Sequence, residues 1–354
     1  MGKWVVCITA TVYVLLVPAA SQASSLVVTV TKDIAPPSNP VKQLSTGMYS
    51  SCAVLTDGKL VCAADPTSGY NYDSRLAHNT PPADIGLVKS VSVARDHACA
   101  ITITNVLRCW GDNTDGQLGL DGTTGVKQVQ TGFEEFSTGP PPYSIPRPPY
   151  SYTCIINSSD HIECAGNHNT YALTGVPSGT FSQISMKATF GCGVVKPGAT
   201  ITCWGFDSLN YGSWWDSTQG KYVSVNINPP EGLYKVSQVV VGVNHACALY
   251  TKGTVAGTVR CWGANDRNQG DTSYASSLNK IKQIDTGAYG NCAIDSTNIL
   301  QCWGVGPLSG GATKVIAMSQ AAVGPRGCVA TLDGKIKCSA DSIYLSDYSQ
   351  TNLN

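Results

Sequence analysis

Several things are scarce in this chain. Phenylalanine and methionine number only 5 and 4 among 354 residues, whereas glycine reaches 36 beside abundant serine and threonine. Such a composition suits many short strands joined by tight turns. An excess of either charge is missing, with 23 basic residues against 23 acidic ones. That balance leaves no basic field for nucleic acid and no polybasic patch for a membrane surface. No Cys-x-x-Cys occurs, which removes the support for zinc-ribbon or thioredoxin-type chemistry. A Gly-x-Ser-x-Gly elbow, a His-Glu-x-x-His helix and a phosphate loop are absent too, so no catalytic residue and no cofactor is assigned. Asp112 to Gly116 resembles a calcium loop in composition, but its spacing misses the ligand positions of an EF-hand, and no metal is expected there.

Long apolar runs are confined to the start. Lys3, the stretch Trp4 to Val17 and the small residues around Ser21-Gln22-Ala23 read as a secretory signal peptide over residues 1–23. The stretch is too short for a comfortable membrane span, and Ser339 to Asn354 is polar, so the expectation is soluble secretion with no membrane span. Removing residues 1–23 takes away Cys7 and leaves fourteen of the fifteen cysteines.

Those fourteen fall into pairs: Cys52 with Cys62, Cys99 with Cys109, Cys154 with Cys164, Cys192 with Cys203, Cys247 with Cys261, Cys292 with Cys302, and Cys328 with Cys338. In an exported chain an even number argues for disulfides. Five pairs are ten residues apart. If the two cysteines face each other across a hairpin, the loop holds an odd number of residues. A three-residue loop needs its third position in the left-handed region, where Gly, Asn and Asp are tolerated. That position is Gly58, Asn105, Asp160, Asn298 or Gly334. The cysteines then fall on a non-hydrogen-bonded pair, whose short Cα separation suits a bridge. Free thiols or bridges between repeats are the alternative.

Alternating runs precede the pairs, among them Val41 to Ser45, Val88 to Ser92, Val236 to Val240 and Ile281 to Asp285, and read as strands. Gly47, Ala94, Gly242 and Gly287, five positions before a first cysteine, mark a bend or a close backbone approach. The spacing of first cysteines, 36 to 55 residues, is that of four-stranded propeller blades with insertions in loops. The reading is an all-β, seven-bladed β-propeller with one intra-hairpin disulfide per blade. It forms a single domain over residues 24–354 with repeats over about 40–340, and Leu26 to Lys32 completes the last blade.

The unit His97-Ala98-Cys99-Ala100-Ile101, followed by Cys109-Trp110-Gly111-Asp112-Asn113 and Gly116-Gln117-Leu118-Gly119, resembles the repeat of the regulator-of-chromosome-condensation family. Gly242 to Leu249 with Cys261-Trp262-Gly263-Ala264-Asn265 resembles it again. The cysteine-paired form is similar to the exported branch, which includes the ectodomains of CRINKLY-type plant receptor kinases. Repeats starting at Cys52, Cys154 and Cys328 depart from the pattern, with Ala-Ala, Ala-Gly and Ser-Ala in place of Trp-Gly. The resemblance implies a seven-bladed propeller. It leaves function open, since the family spans a nuclear nucleotide-exchange factor, receptor ectodomains and a secreted protein inhibitor of β-lactamase.

Candidate binding residues come from two patterns. Two positions before each first cysteine stand Ser50, His97, Tyr152, Phe190, His245, Gly290 and Arg326. Around a ring these are equivalent, and their variety suits a recognition rim, although drift, or His residues bonding the backbone, would look the same. Phe206 to Tyr222 carries Tyr211, Trp214 and Trp215 among polar residues, a composition that anchors protein or carbohydrate partners. A proline- and tyrosine-rich segment, Gly139 to Tyr152, reads as stiff and extended. The Trp of Cys-Trp-Gly, recurring at one repeat position, reads as packing. Asn157-Ser158-Ser159 is an N-glycosylation sequon at an expected hairpin tip. The expected partner is an extracellular protein, with a glycan as the alternative. A propeller hydrolase or lyase would need His and carboxylates converging in the channel.

Overall fold

The computed structural model describes residues 40–64, 80–134, 137–138, 145–146, 150–205, 214–216, 221–223, 227–250, 256–265, 267–278, 280–305, 315–320, 327–332, 336–340 and 344–348. The expected signal peptide, Cys7, Tyr211, Arg326 and Gly334 lie outside these residues.

Seven antiparallel sheets follow one another along the chain, each an inner, a middle and an outer strand. The inner strands are Val41–Thr46, Val88–Val93, Gln128–Glu134, Phe181–Lys187, Val236–Val241, Ile281–Thr286 and Val315–Gln320 in blades 1 to 7. Middle strands are Ser50–Leu55, His97–Thr102, Tyr150–Ile156, Phe190–Val195, His245–Tyr250, Tyr289–Asp295 and Gly327–Thr331. Outer strands are Leu60–Ala64, Leu107–Gly111, Ile162–Gly166, Thr200–Gly205, Val259–Gly263, Leu300–Val305 and Ile336–Ala340.

All seven expected bridges form, each between the middle and outer strand of one blade. Cys52 joins Cys62, Cys99 joins Cys109, Cys154 joins Cys164 and Cys192 joins Cys203. Cys247 joins Cys261, Cys292 joins Cys302 and Cys328 joins Cys338. Their Cα separations of 4.0–4.1 Å are the short spacing of a non-hydrogen-bonded pair. The two ends of a bridge differ in depth. Every middle-strand cysteine is buried, whereas Cys62, Cys164, Cys203, Cys302 and Cys338 on outer strands are half-buried. An outer strand that ends its sheet is covered less fully than a middle strand flanked on both sides. Cys109 and Cys261 are the buried exceptions, covered by Leu118 and Leu120 and by Ala275 and Leu278.

The hairpin loops are left-handed where the residue types require it: φ is +86° at Gly58, +65° at Asn105, +68° at Asp160 and +70° at Asn298. Middle strands are buried almost throughout, because apolar clusters fill the space between consecutive sheets. Tyr152, Phe181, Ile184, Met186 and Trp204 join blades 3 and 4 in this way. The four Cys-Trp-Gly tryptophans are buried in these layers; Trp204 and Trp262 donate their ring N–H to the carbonyls of Ala172 and Ile227. Blade 7 packs on blade 1 through Val41, Leu44, Ala53, Ala317 and Ala330, and Thr46 N donates to Ser319 Oγ at 3.0 Å.

One expectation is corrected. Blades 1 to 6 are three-stranded among the described residues, not four-stranded. In blades 2 to 6 a glycine at or next to the end of the outer strand explains the stop. Gly111, Gly166, Gly205, Gly263 and Gly304 all take positive φ. A Cβ at Gly166, Gly205, Gly263 or Gly304 would stand 2.4–2.6 Å from a backbone oxygen of the middle-strand entry. The chain must therefore swing away from the sheet there. Blade 7 has a fourth strand, Tyr344–Tyr348, paired with Ile336–Ala340; Leu26 to Lys32, expected to complete that blade, lies outside the described residues.

Candidate binding surfaces

Strand direction gives the propeller two unlike faces. The hairpins joining middle to outer strands lie on one, here the hairpin face. The bends joining inner to middle strands lie on the other, the turn face. Gly47 shows why those bends need small residues: a Cβ there would meet the Ala94 carbonyl oxygen of the next blade at 1.9 Å.

Among the described residues two before each first cysteine, the side chains do not form a recognition rim. His97, Tyr152, Phe190 and His245 are all buried, with at most 1 % exposure, and Ser50 is buried as well. The middle strand is covered on both faces by neighbouring blades, so variety at this position reflects what each neighbour offers. His97 Nε2 meets Thr153 Oγ1 of blade 3 at 3.0 Å. His245 Nε2 donates to Asn291 Oδ1 of blade 6 at 2.8 Å, and Asn291 Nδ2 donates to the Gln269 carbonyl. Tyr152 OH donates to the Ala188 carbonyl. Burial pushes the His97 imidazole down to about 4, against a smaller opposing pull from the Tyr152 backbone and Asp112, and pushes the Tyr152 phenol well up. These groups hold adjacent blades in register.

The inner strands enclose a cavity of about 290 Å³. Its lining holds neutral amides and hydroxyls, and its charged groups are Lys187 and Asp285, paired at 3.5 Å across from blade 4 to blade 6. No histidine lines it, so the His and carboxylate convergence required for a propeller enzyme is not found among the described lining residues.

A set of glutamines went unassigned at the sequence level. Gln43, Gln128, Gln183 and Gln238 occupy equivalent places at the start of their inner strands, and each bonds twice to the backbone of the next blade. Gln43 takes Val91, Gln128 takes Ile184, Gln183 takes Val239 and Gln238 takes Ile284, through N–H to Oε1 and Nε2 to carbonyl at 2.7–3.1 Å. Further along the inner strands, Ser45, Ser92, Ser185 and Ser319 accept the N–H of Val93, Thr131, Val241 and Thr46. Side chains thus satisfy the open backbone edge that each inner strand would otherwise present. The signal was a Gln recurring at one place in the alternating runs, as Gln-x-Ser at Gln43 and Gln183.

The Asp112 to Gly119 loop is a closed polar turn. Thr114 and Gln117 donate to the Asp112 carboxylate, Leu118 N to Asn113 Oδ1, and Ser151 N of blade 3 to Asp115 Oδ2. Asn157 closes its hairpin, half-buried, accepting from Ser159 N and His161 N.

Three long segments leave the turn face, one after Ala64 of blade 1, whose residues 65–79 lie outside the described ones, and two from the neighbouring blades 3 and 4. Of these two, one departs at Glu134 and returns at Tyr150, residues paired with each other; within it Ser137–Thr138 pairs with Ile145–Pro146, so the segment is not simply extended, and Tyr150 to Tyr152 belongs to the middle strand of blade 3. The other leaves at Gly205 and returns at Ile227 beside Trp262. It holds a two-stranded ribbon pairing Trp214 with Val223 and Trp215 with Tyr222.

The description "Regulator of chromosome condensation (RCC1) repeat" matches residues 88–117 and 236–269. No curated protein matches. Among solved structures, the CRINKLY WD40 ectodomain of the receptor kinase ACR4 from Arabidopsis thaliana aligns with a TM-score of 0.58 at 16 % identity, covering 89 % of this chain and 99 % of that one. The entire ectodomain of the receptor kinase CR4 from Physcomitrella patens follows at 0.54 and 17 %, covering 85 % and 74 %. Prp20p from Saccharomyces cerevisiae aligns at 0.51 and 13 %, covering 79 % and 80 %. The chain is thus a disulfide-bridged, seven-bladed propeller whose repeats resemble the RCC1 repeat and whose fold is that of the CRINKLY ectodomains.

Proposed function

We propose that this protein is a secreted, extracellular recognition module that binds a protein partner through the turn face of blades 3 to 5. The observation carrying this reading is the departure of the two aromatic-bearing insertions of blades 3 and 4 from one face of adjacent blades, while the described repeat positions are consumed in packing. Loops on a rigid scaffold are where binding residues concentrate. Trp214, Trp215 and Tyr211 supply the rigid aromatic anchors of the second insertion, and the Pro- and Tyr-rich first insertion leaves the neighbouring blade.

Seven bridged hairpins fit an oxidising compartment, in accord with the signal peptide read at residues 1–23. The shared fold with receptor-kinase ectodomains supports a binding role, with Tyr211, Trp214 and Trp215 equally suited in residue type to stacking on a sugar, the lectin alternative.

The test is double substitution Trp214→Ala/Trp215→Ala in the full secreted chain. Cross-linking in the extracellular medium of its host should yield a protein adduct with wild type that the variant loses at unchanged melting temperature. An adduct retained by the variant would remove the insertion as the site. Selective glycan-array binding lost in the variant would favour the lectin.

A further inference from the structure

A net charge of zero conceals a division between the two faces. Lys42, Lys89, Lys127 and Lys282 enter their inner strands at equivalent places on the hairpin face, and Lys89, Lys127 and Lys282 donate to Asn105, Asp160 and Asn298 of the hairpins of their own blades. Lys59 and Lys196 on hairpins, with Lys235 and Lys280 just before inner strands, add to them. Among the described residues the carboxylates there are fewer, Asp57, Asp84, Asp160, Glu163, Glu231 and Asp295, and they neutralise part of the set: Asp57 faces Lys59 at 3.5 Å, and Asp160 holds Lys127 at 2.6 Å and Lys196 at 2.9 Å, which leaves Lys42, Lys89 and Lys282 outside these ion pairs. Among the described residues of the turn face the balance reverses, where Asp96, Asp112, Asp115, Glu134, Asp271 and Asp285 outnumber Arg95, Lys187 and Arg267.

The cationic face is also where apolar side chains reach solvent. Of seven exposed large hydrophobics among the described residues, five lie on it: Leu87, Ile103, Tyr234, Ile299 and Leu332, between 40 % and 58 % exposed. Four of these form a sector over consecutive blades. Ile299 and Leu332 sit on the hairpins of blades 6 and 7. Leu87 lies against Gly58 of the blade 1 hairpin, and its carbonyl accepts from Ile103 N on the blade 2 hairpin. Lys282, Lys42, Lys59 and Lys89 belong to the same blades, Lys59 facing Asp57 of its own hairpin at 3.5 Å. Like charges crowd within the sector: partial burial and the neighbouring Lys42 hold the Lys89 ammonium below its ordinary value.

We infer that the hairpin face over blades 6, 7, 1 and 2 is a second interaction surface, opposite the insertions, built for an acidic protein partner that presents carboxylates around an aliphatic centre. Lysines alone would suit any polyanion. Exposed Leu and Ile contribute nothing to sugar hydroxyls or sulfates, but gain from burial against a protein's apolar atoms. Lysine ammoniums on the same blades as such a centre give the charge complementarity that steers encounter and selects partners.

The test uses the intact secreted chain and two labelled probes, an amphipathic peptide of alternating Glu and Leu and a heparin-type sulfated polysaccharide, read by fluorescence anisotropy at low and physiological salt. The peptide should bind with salt-sensitive affinity. Lys42→Glu/Lys89→Glu should weaken it at least tenfold, and Ile103→Ser/Leu332→Ser about threefold or more, at unchanged melting temperature. Lys59→Glu/Lys282→Glu repeats the charge test at independent positions should the first pair fold poorly. Peptide binding that ignores both charge reversals, or no peptide binding, overturns the inference. So does polysaccharide binding that exceeds the peptide's and ignores the Ile103 and Leu332 changes, which would mark a polyanion site.

Discussion

Gln183 in blade 4 and Val239 in blade 5 are joined by two hydrogen bonds, from Val239 N to Gln183 Oε1 at 2.8 Å and from Gln183 Nε2 to the Val239 carbonyl at 3.0 Å. The side-chain amide acts as a one-residue strand, pairing with a backbone edge that carries no strand of its own on the channel side. Inner strands stay open toward the preceding blade, so the same device recurs at Gln43, Gln128 and Gln238.

Gln183→Leu leaves both Val239 groups without their partners, and is expected to lower stability by about 1–3 kcal/mol. Denaturant midpoints check this. Gln183→Glu should be at least as harmful, because it removes the donor and sets a carboxylate against a carbonyl. A midpoint equal to wild type in both variants would show that channel water replaces the clamp at no cost.

His97 should make the fold sensitive to mild acid. Its folded-state value lies near 4 against 6.5 when exposed, so between these limits the unfolded chain binds the extra proton. Stability from this group is complete above about pH 6.5 and is lost progressively toward pH 4, by roughly 3 kcal/mol at most. Urea midpoints from pH 7.5 to 4.5 should fall more steeply for wild type than for His97→Gln. Parallel curves would place the acid sensitivity elsewhere.

Two glycines with positive φ but different surroundings should respond differently to alanine. Gly263 has φ +102°, and its Cβ would stand 2.6 Å from the Asn244 oxygen. Gly116 has φ +75° with nothing within 4 Å. Gly116→Ala is expected to cost about 1 kcal/mol from conformation alone, and Gly263→Ala on the order of 3 kcal/mol. Equal thermal shifts would refute the close-approach argument.

Cys99→Ser/Cys109→Ser opens one bridge whose cysteines are 10 residues apart. The chain-entropy expectation is about 3 kcal/mol at most, and residual hairpin structure in the unfolded chain should keep the measured denaturant shift below it. A larger loss would mean that the bridge also supports the packing of Ile101 and Leu107 beside it.

The hairpins, their left-handed loop residues, the seven bridges and the count of blades were legible in the chain because each depends on contacts within about a dozen residues. Cys99 and Cys109 find each other through a three-residue loop, and Asn105 states that loop's geometry by itself. How deeply each sulfur lies was not legible: Cys109 is buried and Cys164 half-buried at the same place in the repeat. Nor was the role of His97. Its partner Thr153 lies 56 residues on, and Gln43 meets Val91 across 48. Side chains that look alike along the chain were divided into buried and exposed only when sheets stacked face to face. Stacking buried Tyr152 and Phe190, left Lys42 and Ile103 in water, and sorted the charges onto two faces. Local chain geometry decided the blade; the packing of blade on blade decided which residues remain free to bind.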